Sequence, residues 1–96
     1  MRVRNTKTSL EMIGHAENKL VCSMVTALTV TLCNAFTTIL DETVDYKLSS
    51  GRFYLSKKHL SENAQLLVNV FWCGIVGIAR DYPDSIFIED DQALMS

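Results

Sequence analysis

The feature that most constrains this chain is an apolar rhythm that sets in just after Asn18. Val21, Met24, Val25, Leu28, Leu32, Ala35, Phe36 and Ile39 recur at intervals of three and four, the spacing of one buried helical face. The spacing predicts a long amphipathic helix reaching to about Asp41. Asn18 is its expected N-cap, because a short carbonyl side chain accepts from the unpaired amides that open a helix. The same stretch, Gly14 to Asn34, places His15 just before the helix and Cys22 in or just after its first turn. A helix start carries partial positive charge that favours thiolate over thiol, and an imidazole or Lys19 close by adds to it. His15 and Cys22 are thus a candidate base and nucleophile within reach of each other. The plainer alternative is that Cys22 is a small buried apolar residue.

A second stripe, Cys22, Thr26, Thr29 and Cys33, flanks the buried face at the same spacings. Small polar groups there mark either a half-buried groove or filler against a sheet. The segments around the helix supply that sheet. Val3 belongs to a short first strand, Asn5 to Lys7 to a turn, and Thr8 to Ile13 to a second strand closed by Gly14. Thr43 to Leu48 and Arg52 to Leu55, joined by Ser49-Ser50-Gly51, read as a second hairpin. Ser56 to Leu60 is a charged connection in which His59 has a structural or solvent-exposed place.

Ser61 and Glu62 open a second helix whose apolar rows are Ala64, Leu67, Val68, Phe71, Ile75, Ile78, Ala79 and Tyr82, and Leu66, Val70, Cys73 and Gly77. A helix apolar on two sides must be covered twice. One side takes the sheet and the other takes the first helix or another copy of the chain, with Gly74 and Gly77 allowing backbones to approach. A homodimer is therefore expected. Pro83 prevents continuation, and Ser85 to Ile88 forms a last strand before a polar tail. The order is ββαββαβ. The expected fold is a single α+β domain over residues 1–96, a two-layer sandwich of two helices on a small mixed sheet.

Composition excludes several function classes. The net charge is −2 and no stripe of Lys and Arg is available to displace counterions, so no nucleic-acid partner is expected. Arg2, Arg4 and Lys7 at one end and Glu89, Asp90 and Asp91 at the other read as solvated ends. Leu66 to Ala79 is too short to span a bilayer and contains Asn69, so no membrane segment is expected. Three cysteines and no apolar leader after Met1 fit the reducing cytoplasm better than a disulfide framework. Cys22 and Cys33 lie about 16 Å apart along one helix and can neither bridge nor share a metal. With two His and no paired Cys spacing, neither a metal nor a cofactor is expected.

Gly14-His15-Ala16, Leu20-Val21-Cys22, Val25-Thr26-Ala27-Leu28 and Asn34 resemble the signature of the Prp family, the ribosomal-processing cysteine proteases. The similarity continues through Ala64-Gln65 and Leu67 to Gly77-Ile78-Ala79 and Tyr82-Pro83, nearly the whole chain. The resemblance implies a small cytoplasmic dimer of Gram-positive and related bacteria or of their phages. Its partner would be a protein substrate with an N-terminal extension, either a ribosomal large-subunit protein or a phage capsid or scaffold precursor. It also implies Cys22 as nucleophile, His15 as base, and Thr26 where the family has a Ser beside the active site. Two departures are visible. Only six residues separate His15 from Cys22 where the family has a longer Gly-containing mobile loop, and Lys19 stands where it tends to have an Asp. They imply a divergent or phage-borne member with another substrate, or a copy that has lost activity.

The expected chemistry is peptide hydrolysis by a Cys-His dyad, with amides near the helix start holding the oxyanion. Thr26, Glu17 and Lys19 are the expected substrate contacts. Glu17 is the nearest carboxylate able to orient His15, unless it is a solvated loop charge. Thr26 either shapes the pocket or caps a local carbonyl. Two other classes stand beside this one: a peptide-binding or phage assembly module that does not cut, and thiol redox chemistry, which lacks a resolving Cys at close spacing.

Overall fold

The computed structural model describes residues 1–90. In chain order the elements are β1 (Arg2–Asn5), β2 (Ser9–Ile13), α1 (Lys19–Thr38), β3 (Tyr46–Ser49), β4 (Arg52–Ser56), α2 (Glu62–Asp81) and β5 (Phe87–Asp90). The expected ββαββαβ order is therefore the observed one, an α+β fold. The polar tail expected after the last strand falls on residues 91–96, outside the described residues.

The sheet runs β3-β4-β2-β1-β5. All pairs are antiparallel except β1 with β5, which is parallel. Both helices lie on one face, and the strands alternate accordingly. Val3, Leu10, Met12, Phe53 and Leu55 point into the core, each at most 5% exposed. The opposite face carries a row across all five strands: Lys47, Tyr54, Glu11, Arg4 and Glu89. That row is polar because no layer covers it. The inner face meets Val21, Val25, Leu32 and Phe36 of α1 and Ala64, Val68, Phe71 and Ile75 of α2. Each fully buried Val, Leu or Phe contributes about 1.5–3 kcal/mol over leaving it in water.

Both helices are capped at the residues where the sequence starts them. Asn18 Oδ1 accepts from the amides of Leu20 and Val21 at 2.9 and 3.4 Å, and Ser61 Oγ accepts from Ala64 at 3.0 Å. Each such cap is worth about 1 kcal/mol. The far end of α1 falls short of Asp41. Thr37 and Thr38 bond back to the Asn34 carbonyl, Asp41 turns into the left-handed region at φ 52, and Glu42 bonds to Phe36 O. Ile39, the C-cap of the helix, is consequently 71% exposed rather than part of the buried face. Met24 and Leu28 sit half-buried at the edge of the helical face, while Thr29 and Cys33 are buried.

Several strand boundaries shift by one to three residues. The first turn sits one residue later than the pattern suggests, because Thr6 Oγ1 accepts from both Thr8 N and Ser9 N. The third strand begins at Tyr46 rather than Thr43. The last begins at Phe87 because its pairing starts where β1 does, with Phe87 N donating to Met1 O at 2.9 Å.

The charged ends are solvated as expected, and they are also joined. Arg2 pairs with Glu89 at 2.7 Å across β1 and β5, and Asp90 accepts from Trp72 Nε1 at 3.1 Å. Lys57, nearly buried, donates its ammonium to Asn5 Oδ1 and to Thr6 O.

Gly74 faces α1: a methyl there would lie 2.9 Å from Leu28 Cδ1. Gly77 has nothing within 4 Å, and the α2 row of Leu66, Val70 and Cys73 is exposed. Both helices are long and apolar enough to cross a membrane, but an apolar core helix passes the same test, and here each lays a face on the sheet.

Candidate active site

The second strand is followed directly by Gly14, whose φ of 92 is a geometry only glycine adopts freely. Its amide still pairs with the hairpin, donating to Gly51 O at 2.8 Å. This holds the next residue, His15, beside the β3–β4 turn. The imidazole lies against Gly51: a methyl on Gly51 would sit 2.7 Å from His15 Nε2, 3.3 Å from Cδ2 and 3.4 Å from Cε1. Gly51 also has φ 74. Two separate demands, left-handed backbone and room for the ring, thus fall on one residue. In the sequence, Ser49-Ser50-Gly51 signals only a turn. A glycine after two serines carries no sign that an imidazole from a distant strand rests on it.

The chain then bends through 15–18 and enters α1. Ala16 tucks into the core, and its carbonyl accepts a hydrogen bond from the Cys22 thiol at 3.0 Å. Cys22 is half-buried. Among the described residues this is the thiol's hydrogen bond, so the sulfur faces its own loop rather than donating to His15.

His15 and Cys22 nevertheless line one open groove of roughly 300 Å³. One wall is α1, through Cys22, Val25, Thr26, Thr29 and Val30; the other is the turn of the β3–β4 hairpin, Leu48 to Phe53; Met12 lies between them. The small polar stripe of α1 is therefore groove wall over Cys22, Thr26 and Thr29, and core at Cys33, whose thiol burial pushes up from its ordinary pKa against a hydrogen bond from Tyr46.

Thr26 is exposed on the groove wall. The local carbonyl cap is made instead by Thr29, whose hydroxyl donates to Val25 O at 2.7 Å. Glu17 and Lys19 are exposed and lie outside the groove lining, and neither forms an ion pair or side-chain hydrogen bond with His15 among the described residues. Three of the helix-start amides expected to hold an oxyanion are engaged. Those of Leu20 and Val21 go to Asn18 Oδ1, and that of Cys22 goes to Asn18 O at 3.1 Å. No group of three or more His, Cys, Asp or Glu able to hold a metal occurs among the described residues.

A thiol and an imidazole in one apolar-walled groove suit acyl transfer, and the sequence model of a family described as cysteine protease Prp matches residues 1–87. The chain belongs to the Prp family of cysteine proteases. It is similar to the SMU.848 protein of Streptococcus mutans, at 25% identity and a TM-score of 0.75 over 93% of this chain and 90% of that one. Two Staphylococcus aureus structures share the fold at a TM-score of 0.78 over 94% of this chain and 96% of theirs. One is the ribosomal processing protease Prp with a covalently linked product peptide, at 22% identity. The other is the same protease with a substrate peptide, at 20%. No curated protein matches the chain.

Proposed function

We propose that this Prp-family chain is a cytoplasmic cysteine endopeptidase that removes an N-terminal extension from a protein substrate through a Cys22–His15 dyad. The single observation that carries the reading is that the two side chains line one groove in a chain whose family is one of cysteine proteases. The thiol leaves Ala16 O by rotation about its Cα–Cβ bond and gives its proton to the imidazole. The thiolate attacks the scissile carbonyl, the imidazolium protonates the departing amine, and water, deprotonated by His15, hydrolyses the thioester and restores the thiol. Thr26 shapes the wall next to the sulfur, and Glu17 and Lys19, exposed beside the loop, contact the peptide outside the groove.

The substrate class follows from the Staphylococcus aureus relative, a ribosomal processing protease that holds a substrate peptide in its crystal structure. A ribosomal large-subunit precursor is the first candidate and a phage capsid or scaffold precursor the second. A homodimer through α2 fits the exposed row of Leu66 and Val70, 60% and 62% exposed, with Gly77 open beside it.

A second reading has its own support. The thiol bonded to Ala16 O and the engaged helix-start amides favour a peptide-binding or assembly module that keeps the groove without cutting. Incubation with precursors of both kinds separates the two. Loss of a defined N-terminal segment by intact mass, abolished in Cys22→Ala and His15→Ala, supports the protease. Cleavage that survives in both variants, or peptide capture without cleavage, overturns it.

A further inference from the structure

Of the two sheet edges, only β3 borders the groove: Leu48 and Ser49 line it, and no residue of β5 does. Among the described residues β3 pairs with β4 on one side and with nothing on the other. Its hydrogen-bonding phase is fixed. Ser56 N donates to Asp45 O at 3.0 Å, and the register pairs Tyr46 with Leu55, Lys47 with Tyr54, Leu48 with Phe53 and Ser49 with Arg52. Hydrogen-bonded and non-hydrogen-bonded pairs alternate in an antiparallel ladder. The backbones of Asp45, Lys47 and Ser49 therefore face β4, and those of Tyr46 and Leu48 face outward.

We infer that the free edge of β3 is the backbone-recognition site for the peptide, which docks as a sixth, antiparallel strand hydrogen-bonded to Tyr46 and Leu48. This rests on the peptide-binding part of the proposed function and not on hydrolysis. The edge is held ready for a strand. The Tyr46 ring packs on Phe53 with centroids 6.3 Å apart, so the side chain is anchored inward while the backbone stays free. Strand addition at a sheet edge draws affinity from the main chain and selectivity from alternate side chains.

The two faces of β3 then set the side chains the added strand prefers. A residue opposite Leu48 points to the helix side, toward an apolar groove of Leu48, Val30 and Phe53. Its neighbour opposite Lys47 points to the outer sheet face. Lys47 has no ion pair there among the described residues, and Arg52 and Tyr54 lie beside it. Asp45 shares that depression, and Arg52 already holds Glu11 at 3.1 Å, so Lys47 is the cation left to recruit a partner. Opposite charges across strands are mildly favourable. The ligand class is an extended peptide whose apolar residues alternate with acidic ones.

The test uses Cys22→Ala, which binds without cutting, and a fluorescein-labelled Glu-Leu-Glu-Phe-Glu-Leu-Glu peptide. In the free protein the Tyr46 and Leu48 amides exchange quickly and that of Lys47 slowly. Bound peptide slows exchange at Tyr46 and Leu48 by at least about tenfold, because those amides become ladder donors. N-methylating the Leu or Phe amides, which face β3, abolishes binding, whereas N-methylating the Glu amides does not. Peptide binding with unchanged exchange at Tyr46 and Leu48 overturns the inference, as do equal losses at both sets of amides or no binding at all. Protection that grows with protein concentration in the absence of peptide assigns the edge to a second copy, and overturns it too. Precursor hydrolysis is read separately with the wild type. Its absence removes the protease and leaves strand docking standing.

Discussion

His15 rests on Gly51, so closely that a methyl group on Gly51 would lie 2.7 Å from Nε2. The hairpin turn thereby sets where the imidazole stands in the groove. Gly51→Ala displaces the ring and forces a side chain into φ 74, a strain of order 1 kcal/mol or more. The expected outcome is a folded protein with a lowered melting temperature and a loss of peptidase activity of at least about tenfold, since misplacing a base by an ångström costs far more than that strain. Activity within twofold of wild type would show that His15 does not act from this position.

The three cysteines occupy three environments, which alkylation reads directly. Cys73 is exposed, Cys22 half-buried and Cys33 buried, and burial pushes the Cys33 thiol up. Iodoacetamide at neutral pH, followed by peptide mapping, is expected to label Cys33 last. If His15 takes the Cys22 proton, His15→Ala slows labelling of Cys22 by about tenfold and leaves Cys73 unchanged. Equal Cys22 rates in both proteins would favour the passive binding module.

Much of this arrangement is legible in the sequence, and the rest is not for a definable reason. Local signals were readable: the three-four rhythm of α1, the Asn18 and Ser61 caps and the Gly14 strand end are each decided within a few residues of themselves. The shared groove was readable only in part. Cys22 and Thr26 announce one wall through helical spacing, but the other wall, Leu48 to Phe53, is set by β2–β4 register, a long-range pairing that leaves no local mark. Two more features lie beyond a local pattern, one set by strand pairing and one by a bend. The Arg2–Glu89 bridge joins ends that look independent until β1 and β5 are parallel neighbours, and the Cys22 to Ala16 hydrogen bond depends on how the short 15–18 bend folds back.

The two glycines of α2 have opposite surroundings and give opposite expectations. Gly74→Val drives branched carbons into Leu28, already 2.9 Å from an added Cβ, and overpacking of this kind costs about 1–3 kcal/mol. Gly77→Ala meets nothing within 4 Å and gains about 0.5–1 kcal/mol of helix propensity. Thermal melts at low protein concentration check both signs. Sedimentation equilibrium adds the dimer: if copies meet at Gly77, the alanine variant is more stable as a monomer and associates more weakly.

Lys57 supplies the last prediction through its hydrogen bonds to Asn5 Oδ1 and Thr6 O. Lys57→Met leaves the buried Asn5 acceptor without that donor, at a cost of about 1–3 kcal/mol. Its pH dependence has a definite sign. Burial, the larger effect, lowers the Lys57 pKa from its ordinary 10.5, and Asp90 partly opposes this. Between the lowered folded value and 10.5 the unfolded chain holds more protons, so the contribution of Lys57 to stability rises with pH across that window. Below the window, both states carry the charge and its desolvation is a constant penalty. Urea unfolding followed by the fluorescence of Trp72, whose indole donates to Asp90, is expected to show the wild-type advantage over Lys57→Met growing as pH approaches 10.5. A difference that stays flat with pH would mean that the ammonium is no less hydrated in the folded chain than in the unfolded one.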